Sequence, residues 1–164
     1  FMVTLVANMI AAPLLGRGVA FFGERAALMF EYAGLFVIFL LYAGLYHFDW
    51  GVGMAAVLYV GNHIFFALAL AIKTYFQKIA DPADIAPTAA VAFTINHIAA
   101  VFLPAILGYI WLTSPIAVFL LASGMAATSF ALSLLVPRHP EAGNETLLAR
   151  RGLPVAAPIT TVIK

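Results

Sequence analysis

The chain has 164 residues, 65% of them hydrophobic and 9% charged, with a mean hydropathy of +1.06. A soluble globular domain is about half apolar and a quarter charged, so this composition excludes a water-soluble fold and points to a bilayer. A net charge of +1, carried by singly scattered basic residues, excludes a nucleic-acid footprint and a polybasic lipid-binding cluster. The absence of cysteine excludes disulfides, thiolate metal sites and thiol chemistry.

In chain order, Phe1–Leu15 is apolar but shorter than the roughly 20 residues that cross a hydrocarbon core, and no positively charged region precedes it as in a signal peptide. It reads as a transmembrane helix cut short, with a first span over 1–16, and the chain is expected to be a fragment of a longer protein. The second span is predicted over 27–46, followed by the turn His47 to Gly51. The third covers 52–72 and continues as an amphipathic helix through Lys73–Lys78 until Asp81-Pro82 stops it. Pro87 suits the first turn of the fourth span, 87–111, and Pro115 that of the fifth, 116–136, which Pro137 closes. The remainder, 137–164, has no sustained period and reads as a mostly disordered tail. The fold class expected is an all-α polytopic membrane protein with five transmembrane helices.

All eight basic residues fall on alternate connections. Arg17 and Arg25 lie in the first loop, Lys73 and Lys78 in the third, and Arg138, Arg150, Arg151 and Lys164 in the tail. The positive-inside rule makes loops 17–25 and 73–87 and the tail cytoplasmic. Trp50 and Trp111, with Tyr46 and Tyr109 near them, fall at the opposite interface as an aromatic belt.

Two Asn-His pairs are the costliest side chains in these spans: Asn62 with His63, and Asn96 with His97. At a rise of 1.5 Å per residue, His63 lies about 15 Å below the outer end of its span and His97 about 15 Å above the inner end of its own. In a core about 30 Å thick both are at the midplane. Asn8, about 12 Å from Gly16 by the same rise, is close to that level. Polar groups at this depth mark substrate or proton pathways, or else bond between helices for packing alone. Neighbouring positions are about 100° apart around a helix, so one member of each pair can point squarely at a given neighbour, and the histidines are favoured. Glu31, about one and a half turns from Arg25, is expected to snorkel or pair at the cytoplasmic end. Gly124, Thr128, Ser129 and Ser133 have the spacing of a helix-packing set.

The first loop carries a resemblance. Residues Leu15 to Arg25 resemble a degenerate copy of the Gly-x-x-x-Asp-Arg-x-Gly-x-Arg loop of major facilitator superfamily transporters. Gly16, Gly23 and Arg25 match, while Ala20 and Phe21 occupy the acidic and basic positions. The alternation of short outer turns with a long basic inner connector and a tail is similar to the end of such a transporter. The stretch from Thr74 through Ala100 also resembles bacterial members of uncharacterised substrate. The resemblance covers Phe1 to about Val136 and implies helices eight to twelve of twelve, part of the C-terminal six-helix bundle, in a bacterial inner membrane. It further implies that the first, third and fourth spans border a central cavity, and that the missing N-terminal helices complete it.

Two function classes follow. One is secondary active transport of a small solute, with a titratable histidine to carry a coupling proton. The alternative is a b-type cytochrome-like electron carrier with His63 and His97 as haem ligands, or a membrane assembly subunit. Haem would need space-making glycines at both ligands and basic partners for its propionates; Gly61 meets the first need on one helix, and no Lys or Arg lies within the spans. Hydrolytic chemistry has no support, because Glu31 and Asp49 are on opposite sides and no nucleophile-base spacing stands out. No enzyme activity, cofactor or metal is expected. The expected partners are the lipid bilayer and an unidentified small solute.

Overall fold

The computed structural model describes residues 16–19 and 21–148. They are helical with no strand among them: α1 (Glu24–Phe48), α2 (Gly51–Phe66), a 3-10 turn (Ala67–Ala69), α3 (Leu70–Ile79), α4 (Pro82–Thr113) and α5 (Pro115–Ser133). Because α2, the turn and α3 run on as one rod of 29 residues, four helices are long and apolar enough to cross a membrane. At 1.5 Å per residue they measure roughly 28 to 48 Å, against a core of about 30 Å. The described residues thus have the helical architecture of a polytopic membrane protein. The predicted first span, with Asn8, lies outside the described residues.

Local chemistry sets the helix ends. Gly23, at φ 86°, opens α1, a left-handed value that suits a residue without Cβ. Asp49 closes α1 at φ 51°, within the αL region that Asp tolerates better than most residues. Asp81 stops α3, as expected, but it also starts the next helix: its Oδ1 accepts the Ala83 N–H at 2.9 Å, and Pro82 takes the first helical position. Helix α4 therefore begins at Pro82 rather than Pro87, and Pro87 lies inside it with Pro104. Ser114 repeats the device for α5, its Oγ accepting the Ala117 N–H at 3.3 Å ahead of Pro115.

Helix α1 is the hub. It packs most extensively on α5, then on α2, and also on the 3-10 turn and α3, while α4 packs on α5. The buried core is thin, and no large side chain is fully buried among the described residues. Lipid chains are as apolar as leucine, so helices associate in a bilayer through close packing rather than by hiding apolar area. Small residues make that packing here. The Phe65 ring lies on Gly34, and Ile38 Cδ1 lies 3.2 Å from where a Cβ on Gly61 would sit. Helix α5 buries Ser123, Ala126 and Ser133. Of the packing set expected on α5, Ser133 is buried, whereas Gly124 meets nothing within 4 Å and exposed Thr128 bonds back to the Gly124 carbonyl at 2.9 Å.

The Gly34 contact gives a first prediction. A Cβ there would overlap the Phe65 ring, so Gly34→Ala is expected to lower stability by about 1–3 kcal/mol through overpacking. Phe65→Ala in the same chain should recover most of that loss, and Tm in detergent for the single and double variants reads the coupling. Strictly additive losses would contradict the contact.

Residues 137–148 fold back on the bundle, in contrast to the mostly disordered tail expected from 137 on. The Leu147 N–H donates to the Leu135 carbonyl at 2.9 Å, Asn144 Nδ2 donates to the His139 carbonyl at 2.7 Å, and Pro137 and Pro140 are buried. Residues 149–164 lie outside the described residues.

Candidate functional site

Four helices line an open cavity of about 860 Å³. Tyr32 faces it from α1, Lys73, Tyr75 and Gln77 from α3, Thr88 and Asn96 from α4, and Ser129 and Ser133 from α5, among apolar walls that include Phe76 and Phe93. Ser133 Oγ spends its donor on its own helix, at 2.7 Å from the Phe130 carbonyl, and the Tyr75 hydroxyl donates to the Glu145 carbonyl. Among the described residues no hydrogen bond or ion pair engages Lys73, Gln77 or Asn96. Their donors and acceptors are therefore available to a polar solute in a largely apolar pocket, the pattern of small-molecule sites.

Of the candidates read from sequence, Asn96 lines this cavity. His97, its neighbour, does not, and neither do Asn62 and His63. His63 Nδ1 lies 3.0 Å from the Tyr59 carbonyl with its ring on Tyr59 at 4.4 Å; His97 Nδ1 lies 2.9 Å from the Phe93 carbonyl with its ring on Phe93 at 3.9 Å. A carbonyl can only accept, so Nδ1 carries the hydrogen in each ring and Nε2 is the open nitrogen. No hydrogen bond or ring contact joins the two pairs, and their helices pack elsewhere, α2 on α1 and α4 on α5. Among the described residues no group of three His, Asp or Glu side chains could hold a metal ion.

The loop-motif residues lie at the end of the bundle where α1 starts and α3 ends. Gly23 supplies the positive φ, with the Arg138 carbonyl 3.8 Å from where a Cβ would be. Gly16 meets nothing within 4 Å, and Arg25 is half-buried with no ion pair among the described residues. The charge that counts there is the unmatched Glu24, whose Oε1 lies 2.6 Å from Lys78 Nζ. Glu24 is buried and sits in the first turn of α1, where the helix dipole favours an anion. Lys78 is about half exposed, so water screens the pair, which contributes about 1 kcal/mol rather than the several of a buried one. Below it, Glu145 Oε1 accepts the Gly143 N–H at 2.7 Å, and such backbone bonds hold this exposed carboxyl below the usual carboxylate range. At the other end of the bundle aromatic rings cluster, Tyr46 and Phe119 each 5.7 Å from Trp111, and Phe48 stacked on Trp50 at 5.4 Å.

Glu31 departs from expectation. It is 2% exposed, its Oε2 has no hydrogen-bond partner, and no ion pair joins it to Arg25. Sequence reading also passed over Lys73 and Gln77 as cavity residues. Their signal in the sequence is the amphipathic run Lys73–Lys78.

Comparison of the chain with protein-family models, with curated proteins and with solved structures gave no match.

Proposed function

We propose that this protein belongs to a secondary active transporter and that a small polar solute passes through the cavity between α1, α3, α4 and α5. The observation that carries the reading is Asn96, an uncommitted amide with an uncommitted lysine and glutamine around the same cavity in helices otherwise fit for hydrocarbon. An unpaired amide at that depth is costly unless it serves a pathway or a site, and Lys73 and Gln77 extend the polar lining toward the connector taken as cytoplasmic. The resemblance of the 15–25 loop to the major facilitator loop supports the same reading. So does the division of the bundle into an end with Glu24, Lys78 and Arg138, taken as cytoplasmic, and an aromatic end, taken as external. His97 enters as the neighbour of Asn96, with its Nε2 open.

The test is solute binding to the full chain in detergent or nanodiscs. At about a hundred times its Kd a bound solute stabilises by about 2.7 kcal/mol, enough to read as a rise in Tm. A panel of small polar solutes is expected to contain a class that raises the Tm of the wild type and not that of Asn96→Leu. If every stabilising solute acts equally on the variant, the cavity is not the site.

A further inference from the structure

The buried carboxyl of Glu31 is unused by the transport reading. Glu24, Glu31 and Ile38 are seven residues apart and share one line along α1, since seven residues make about two turns. To one side of that line Ala27 belongs to the buried cluster with Leu68 and Ala71, and Gly34 lies under Phe65. To the other side Tyr42 stacks on Phe119 of α5 at 5.0 Å. Glu31 is thus at the seam where α1 meets both the broken rod and α5, one turn from Leu28 and beside Tyr32, which line the cavity.

Among the described residues no charged group or donor bonds to it. On the rod, His63 bonds to the Tyr59 carbonyl, Tyr75 to the Glu145 carbonyl and Lys78 to Glu24, while Lys73 and Tyr59 make no bond to Glu31. Helix α5 has no titratable side chain. On α1 itself, Glu24, Arg25 and Tyr32 make no bond to Glu31, and neither do Arg138, His139, Glu141 or Glu145 beyond α5. A carboxylate buried without a counter-charge or donors costs several kcal/mol, whereas the neutral acid is tolerated.

We propose that Glu31 is a proton-binding site: its carboxyl is held as the neutral acid while α1, the rod and α5 are packed together, and it releases its proton when this seam opens. On opening, the acid O–H breaks, water takes the proton, and the carboxylate that remains is hydrated. The 3-10 turn Ala67–Ala69 is packed against α1 beside this position, and a 3-10 stretch within a longer helix is a common hinge. The site goes beyond the transport reading and stands without it; within that reading, Glu31 carries the coupling proton.

Infrared difference spectroscopy of the full chain in lipid tests it, with no transport assay involved. The carbonyl band of a protonated carboxylic acid is expected at neutral pH in the wild type and in Glu24→Gln, and it should be lost in Glu31→Gln. Both neutral replacements, Glu31→Gln and Glu31→Leu, should fold with the Tm of the wild type or above. A wild type without the band at neutral pH, or a band that persists in Glu31→Gln, overturns the site. So does failure of both neutral replacements to fold, because the carboxylate charge would then be what holds the helices.

Discussion

Single cysteines at Asp49 and Ser114 are expected to react with a membrane-impermeant thiol reagent added outside intact cells, and a cysteine at Gly143 is expected to react only after the membrane is opened. The chain has no cysteine of its own, so each signal is unambiguous. The effect is close to all-or-none, because a charged reagent crossing the core faces a penalty of several kcal/mol and every 1.4 kcal/mol is a factor of ten. The physical basis is the segregation of charge. Glu24, Lys78 and the Arg138 backbone meet at one end, while Trp50, Trp111 and Tyr46 crowd the other, next to Asp49 and Ser114. Basic side chains resist translocation and indole rings settle at the headgroup level. The reverse labelling pattern would invert the bundle. Labelling of all three positions from outside would mean that these helices do not span in alternation.

The long helices were legible because their signals are local. Apolar runs of sufficient length, Pro82 and Pro115 at first helical positions, and Ser114 or Asp81 just before them mark starts that need no tertiary knowledge. The start of α4 was misread at Pro87 because Asp81-Pro82 was taken only as the stop of α3, when an aspartate before a proline both ends one helix and caps the next. The folding-back of 137–148 could not be read, since it depends on Tyr75 meeting the Glu145 carbonyl across 70 positions of chain. Glu31 was misread for a similar reason. Counting turns put it near the interface, but it is buried on a helix that packs against both the rod and α5, which spacing along α1 does not show. Asn96 was legible as an anomaly in its helix. That its amide reaches the cavity while His97 turns away is a matter of where α5 and α3 lie around α4, which no periodicity within α4 reveals.

The central claim is that the cavity at Asn96 is a path for water and polar solutes inside the membrane rather than a gap filled by lipid chains. Asn96 and Ile98 make the sharpest pair for testing it, as two residues separate them by only about 3 Å along the helix but about 200° around it. Both side chains are exposed, but Asn96 lines the cavity and Ile98 does not. Lys73 and Gln77 line the same space and favour its hydration. The deciding measurement is the rate at which a small, water-soluble thiol reagent modifies a cysteine at each position in membranes. The expected result is that Asn96→Cys reacts about a hundredfold faster than Ile98→Cys, the ratio that corresponds to a difference of about 2.7 kcal/mol in access. Equal rates at the two positions, or a faster reaction at Ile98→Cys, would contradict the account.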